Sequence, residues 1–142
     1  MSDKINPFEK KKKGVFFFKS SNPYEFYDLL NGKNMDDKQD VWGTLIFPEN
    51  AKKPCPLIIP IHGSAGLREG HHTHMVNLLD AGFAIFRIHH FESRGVISIV
   101  ENQTEVTLAS MITDAFRALT LVSKHPDVDS DKIGIMGWSL GG

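Results

Sequence analysis

The segment "LIIPIHG", residues 57–63, narrows the fold more than any other part of the chain. It is a nearly continuous apolar run. A strand buried on both faces reads this way, because neither side of its pleat meets water, and such strands belong to parallel sheets covered by helices. "FAIFRIHH" at 83–90 is a second run of this kind, and 133–137 is a short third. Two helices are expected between them. In "HHTHMVNLLDAG" (71–82), Met75, Leu78 and Leu79 share one face and Gly82 is a stop signal. In "TEVTLASMITDAFRALTLVSKHP" (104–126), Leu108, Met111, Ile112, Ala115, Leu119 and Val122 recur at three- and four-residue steps. Pro126 ends that helix, with Lys124 and His125 placed to complement its C-terminal dipole. Strand, helix, strand, helix, strand implies an α/β fold: a mostly parallel sheet, flanked by helices and joined by right-handed crossovers. In such sheets the working loops lie beyond the carboxyl ends of the strands.

Two further strands are expected upstream, "GVFFFKS" (14–20) and "VWGTLIFP" (41–48). Between them, "SNPYEFYDLLNG" carries turn signals at Asn22-Pro23 and Asn31-Gly32, and "ENAKKPCP" is a Pro-punctuated turn. "FESRGVISIVENQ" is a long connection after the fourth strand. Residues 1–40 read as a leader and first-strand region, and 41–142 as the main domain. The net charge of -1 supplies no basic field for nucleic acid or an anionic membrane, and the lysine run at 10–13 reads as a solvated leader. Cys55 is the only cysteine, so no intrachain disulfide can form; it reads as a small apolar residue at the start of a strand. The first residues lack an apolar signal core and no stretch is long enough to span a bilayer, from which a cytoplasmic location is the default expectation.

Two loops at strand ends carry candidate chemistry. One is Gly137-Trp138-Ser139-Leu140-Gly141, after the last strand. A nucleophilic serine must project from a tight strand-to-helix turn, and glycines two residues to either side remove the Cβ atoms that such a turn crowds. The pattern arises by chance in about one chain in twenty of this length, so its position after a buried strand is what gives it weight. The other is His62-Gly63-Ser64-Ala65-Gly66, after the most apolar strand. A tetrahedral intermediate needs two donors for its oxyanion. The N–H of Leu140 is one candidate, and an N–H at Ser64 or Ala65 is the other. His62 precedes the serine and reads as a brace for its loop.

"PLIIPIHGSAG", "FESRG" and "MITDAFRALTLVSKHPDVDSDKIGIMGWSLGG" resemble the α/β-hydrolase fold, and within it the dienelactone hydrolases and neighbouring prolyl-oligopeptidase-like esterases. The resemblance covers roughly residues 42–142. It implies hydrolysis of carboxylic esters or lactones without a cofactor or metal, through a Ser-Asp-His triad in that order, with Ser139 as nucleophile. Relatives with F-x-x-R-G after the fourth strand usually carry an Asp two residues before the Phe, where this chain has His89. Arg94 is then expected to brace its loop through a carboxylate such as Glu92, or to touch substrate. All seven histidines precede Ser139. The chain therefore reads as the N-terminal part of a hydrolase, with nucleophile and oxyanion hole but no general base, and inactive alone.

His71, His72 and His74 lie together, with His89 and His90 on a nearby strand end. No cysteine or evident carboxylate completes a metal set, so they read as polar residues at a cleft mouth or a first helical turn. The rival to a hydrolase is a non-catalytic protein of the same fold, binding a small molecule or a partner. Substrate identity and oligomeric state stay open at this point.

Overall fold

The computed structural model describes residues 6–9 and 11–142. Residues 1–5 and Lys10, the start of the stretch read as a polar leader, lie outside the described residues. Five strands, β1 (Gly14–Ser20), β2 (Gln39–Ile46), β3 (Cys55–Ile61), β4 (Ala84–Ile88) and β5 (Val128–Gly137), form one sheet in the order β1-β2-β4-β3-β5. The helices are α1 (Phe26–Asn31), α2 (Glu69–Asp80) and α3 (Leu108–Val122). As the strand–helix alternation implies, β3 runs parallel to both β4 and β5. The first two strands extend the sheet in antiparallel fashion, which makes it mixed. The division between residues 40 and 41 falls inside β2, and β1 pairs with β2 along its whole length.

Burial follows the residue pattern. Leu57 and Ile59 of β3 are fully buried, and so are Ala84, Ile85 and Phe86 in β4, where neither face meets water. Cys55 opens β3, buried, with its Sγ 3.2 Å from the Gly82 carbonyl. β5 is longer than its apolar residues suggest, because its polar start at 128–132 is still extended beside β3. It forms the sheet edge, and Ile135 is exposed there. Helix α1 lies between the two turn signals; Gly32 is its C-cap with φ 69°, so the Asn31-Gly32 signal ends a helix. Among the described residues no helix is long and apolar enough to cross a membrane.

Helix α3 departs instructively from its apolar stripe. Met111, Ala115 and Val122 are buried as expected, but Ser110, Thr113 and Asp114 are buried too. Asp114 is wholly enclosed, and three side chains converge on it with four hydrogen bonds. Arg94 binds it with both terminal nitrogens, Nη1 at 2.7 Å and Nη2 at 2.9 Å. His90 Nδ1–H donates to it at 2.7 Å, and the Ser20 hydroxyl donates to its other oxygen. Burial alone would raise this carboxyl, but the Arg94 and His90 hydrogen bonds outweigh it and hold the group below the usual carboxylate range. Arg94 also reaches the carbonyls of His90 and Ser21 and the Asn22 side chain. Its carboxylate partner is thus Asp114 on α3, not Glu92, which faces Arg87 and His89. One ion pair fastens α3, the end of β1 and the loop after β4 to one another.

His125 also differs from expectation. Its Nδ1 accepts from the Asp127 N–H and its Nε2 donates to the Lys12 carbonyl, so the ring is fully bonded while neutral. Burial lowers its pKa, and it serves as a buried bracket between chain segments, not as a cation at the end of α3.

Removing one member of a buried pair leaves the other charge stranded, at a cost of about 3–5 kcal/mol. Asp114→Ala is expected to destabilise the whole protein by that amount in urea unfolding. Lys19→Ala, which breaks the exposed pair with Asp40, is expected to cost under about 1 kcal/mol.

Candidate active site

The loop of residues 62–66 and the turn of residues 137–141 meet at the carboxyl end of β3. The Trp138 N–H donates to the Ile61 carbonyl at 3.1 Å, which carries the β3–β5 ladder into the turn. The chain then reverses so tightly that a Cβ on Gly137 would overlap the Gly141 carbonyl, and one on Gly141 would overlap the Ile61 and His62 carbonyls. Both glycines of the motif are therefore steric requirements of the crossing. A Cβ on Gly63 would sit 3.1 Å from Ser139 Cβ and 3.6 Å from its Oγ, so the two loops lie in contact at the serine.

Ser139 has φ 53°. The other non-glycine residues with positive φ are Asn34, Asp37 and Asn50, the side-chain types that tolerate this region. Ser139 is not of that class, and a residue held there carries roughly 1–3 kcal/mol of local strain. The surrounding bonds impose it, since the Gly141 and Gly142 N–H groups donate to the carbonyls of Trp138 and Ser139 at 3.0 Å each. The outcome is an exposed hydroxyl at the tip of a sharp turn.

Around Ser139 lies a cavity of about 340 Å³, walled by Gly63, Ser64, Ala65, His71, Val100 and Trp138 among others. The loop of residues 62–66 is fixed from both sides. The Gly66 N–H donates to the Gly63 carbonyl at 3.0 Å, and the Ile99 N–H donates to the Ser64 carbonyl at 2.8 Å. These bonds use carbonyls. Among the described residues, the N–H groups of Ser64, Ala65 and Leu140 donate to no protein acceptor. On the other side of the turn, an apolar groove of about 240 Å³ runs between α3 and β5, lined by Met111, Ala115, Ile135 and Leu140 among others. Among the described residues that line it there is no titratable side chain.

His62 is buried beneath the loop, where Nδ1–H donates to the Gly63 carbonyl at 2.9 Å. Its Nε2 is buried without a partner among the described residues. The ring packs edge-on against Phe91 at 4.5 Å and against His90 at 5.3 Å, so it connects the loop to the Asp114 network. Burial, and then the nearby His90, lower its pKa to about 4. The remaining histidines separate. His89 bonds Thr44 Oγ1 and stacks on Trp42, whereas His71 stacks on Trp138 at 4.3 Å with 21° between the rings. The sequence reads His71, His72 and His74 as polar residues at a cleft mouth or in a first helical turn, and His71 is in both places: α2 begins at Glu69, two residues before the expected start, and His71 lies in its first turn and lines the cavity.

The BD-FAE family matches residues 44–142. The chain belongs to that family, which is of α/β-hydrolase type. Comparison with curated proteins returns no match. Among solved structures, a protein of Klebsiella pneumoniae subsp. pneumoniae MGH 78578 described as a dienelactone hydrolase is similar. It shares 16% identity over 87% of this chain and 50% of its own, with a TM-score of 0.59. Est1E from Butyrivibrio proteoclasticus shares 21% over 87% of this chain and 40% of its own, with a TM-score of 0.56. A bacterial heroin esterase shares 22% over 90% of this chain and 36% of its own, with a TM-score of 0.59. At these identities the likeness carries the fold. The chain spans half or less of the length of each.

The lowered pKa of His62 has a signed consequence. The folded state keeps the ring neutral down to about pH 4, whereas the unfolded chain takes up a proton from about pH 6.5 downward. Its contribution is complete above about 6.5 and is lost as the pH falls towards 4, by about 3 kcal/mol in total. His62→Asn keeps a donor for the Gly63 carbonyl and cannot titrate. Between pH 7.5 and pH 4, urea unfolding of the whole protein should show the wild type losing about 3 kcal/mol more than the variant.

Proposed function

We propose that the whole protein is a serine hydrolase of carboxylic esters or lactones, acting through an acyl-enzyme at Ser139. The observation that carries this reading is Ser139 at φ 53°, with an exposed hydroxyl in contact with a loop whose Ser64 and Ala65 N–H groups donate to no acceptor among the described residues. A positive φ on a serine is a strained conformation that needs a reason, and presentation of a nucleophile above an oxyanion site supplies one. Membership of the BD-FAE family and the esterases among the similar structures support the same class of chemistry.

In this reading Ser139 Oγ attacks the ester carbonyl carbon while its proton passes to a general base. Leu140 N–H and an N–H of Ser64 or Ala65 stabilise the oxyanion. The carbon–oxygen bond to the alcohol breaks, the base returns the proton to the departing oxygen, and water then hydrolyses the acyl-enzyme by the same steps. Gly137 and Gly141 permit the turn, Gly63 lets the two loops touch, and His62 holds its loop in place. No step requires a metal or cofactor. Ser139 Oγ has no imidazole partner among the described residues. We assign the base and its carboxylate to residues of the whole protein that follow Ser139, in the order implied by the family resemblance.

The whole protein is expected to hydrolyse a chromogenic short-chain ester. Ser139→Ala should lower kcat at least about 10³-fold with KM little changed, and residues 1–142 alone should show no turnover. A Ser139→Ala protein that keeps the wild-type rate would contradict the assignment. Saturable ester binding with no turnover by the folded wild type would favour a non-catalytic binding protein.

A further inference from the structure

The proposed mechanism leaves two polar side chains of the cavity wall unused, Arg68 and His71, and of these the His71 ring is the one held by contacts on both sides. His71 lies on α2, and its ring forms part of the wall around Ser139. Two contacts fix it. It stacks on Trp138, the residue before the serine, at 4.3 Å and 21°. Its Nδ1 accepts the backbone N–H of Arg68 at 3.0 Å. An imidazole nitrogen that accepts a hydrogen bond carries no proton, so the neutral ring bears its hydrogen on Nε2. Among the described residues Nε2–H has no protein acceptor. Burial, followed by the proximity of His74, His72 and Arg68, lowers the His71 pKa, which keeps the ring neutral near pH 7. The result is a donor of fixed tautomer and fixed plane, on a cavity wall that also holds Arg68 and contains no carboxylate among the described residues.

We propose that His71 is a specificity-determining residue of the site. Its Nε2–H donates a hydrogen bond to an ether, hydroxyl or carbonyl oxygen that the substrate carries close to its reacting ester group. The substrate class is then an ester or lactone with a second, neutral oxygen acceptor near the scissile carbonyl. A purely aliphatic ester would leave the donor unpaired on desolvation. A site built to hydrogen-bond a substrate atom rejects the analogue that lacks it, because its own polar group is stranded. The inference rests on the proposed role of Ser139.

The test compares p-nitrophenyl methoxyacetate with p-nitrophenyl butyrate, which differ by one oxygen in place of one methylene. The ratio of their kcat/KM values is measured in the whole wild-type protein and in His71→Phe. Phenylalanine keeps a ring to stack on Trp138 and removes the donor. Comparing one ratio with the other cancels the difference in intrinsic reactivity between the esters. The ratio should fall about tenfold in the variant, the worth of one hydrogen bond to a neutral acceptor. A ratio that stays within twofold, with both esters slowed equally or not at all, overturns the proposal and leaves His71 as packing for Trp138. If His71→Phe does not fold, His71→Leu is read by the same criterion. Absence of turnover of either ester by the folded wild type would instead refute the Ser139 reading, and the role of His71 with it.

Discussion

The buried carboxylate of Asp114 is the constraint from which the site's geometry extends. A carboxylate shut away from water is costly unless it is paired and fully hydrogen-bonded. Here Arg94 and His90 from the loop after β4 and Ser20 from the end of β1 meet that demand. The pairing fixes the loop after β4, and that loop touches the cleft. Phe91 and His90 pack on His62, and Ile99 holds the Ser64 carbonyl. A chain of contacts thus runs from the centre of α3 to the loop that faces Ser139. The position of this loop matters because a displacement of about 1 Å can remove much of an active site's effect.

The second constraint is steric and local. The turn at 137–141 brings the Gly141 carbonyl against Gly137 and presses Gly141 onto the end of β3. Only glycine fits at either place. With the ends so closely crossed, the residue between them is driven to positive φ, although a serine gains nothing conformationally from it. The motif spacing is therefore the imprint of a backbone crossing. Leu140 shows how finely the two sides divide: its N–H lies in the turn beside Ser139, whereas its side chain lines the apolar groove between α3 and β5.

Much of this was legible in the chain. The apolar runs at 57–61 and 84–88, the second broken only by Arg87, stand out because burial on both faces removes most of the polar alternation. The spacing of glycines around Ser139 and the run His62 to Gly66 locate two loops that the fold does bring together. What stayed hidden depends on long-range pairing. Asp114 interrupts an apolar stripe and reads as solvent-facing until Arg94 is seen beside it, 20 residues away in sequence. Glu92 is closer in sequence to Arg94 and was the natural partner on paper, but it turns outward to Arg87 and His89. The helix at 26–31 is too short for a clear period, and Asp28, which accepts the Tyr24 N–H near its start, looks like an ordinary turn residue. His125 carries no mark of its neutral state, because its partners Lys12 and Asp127 act through backbone groups.

The central claim is that this turn makes Ser139 a nucleophile. The most direct measurement is covalent capture. The whole protein is treated with a fluorophosphonate probe, digested, and the modified peptide sequenced by mass spectrometry. The account predicts a single stoichiometric adduct on Ser139, lost on heat denaturation before labelling. An intact, folded protein that stays unmodified, or one labelled at another serine with Ser139 free, would contradict it.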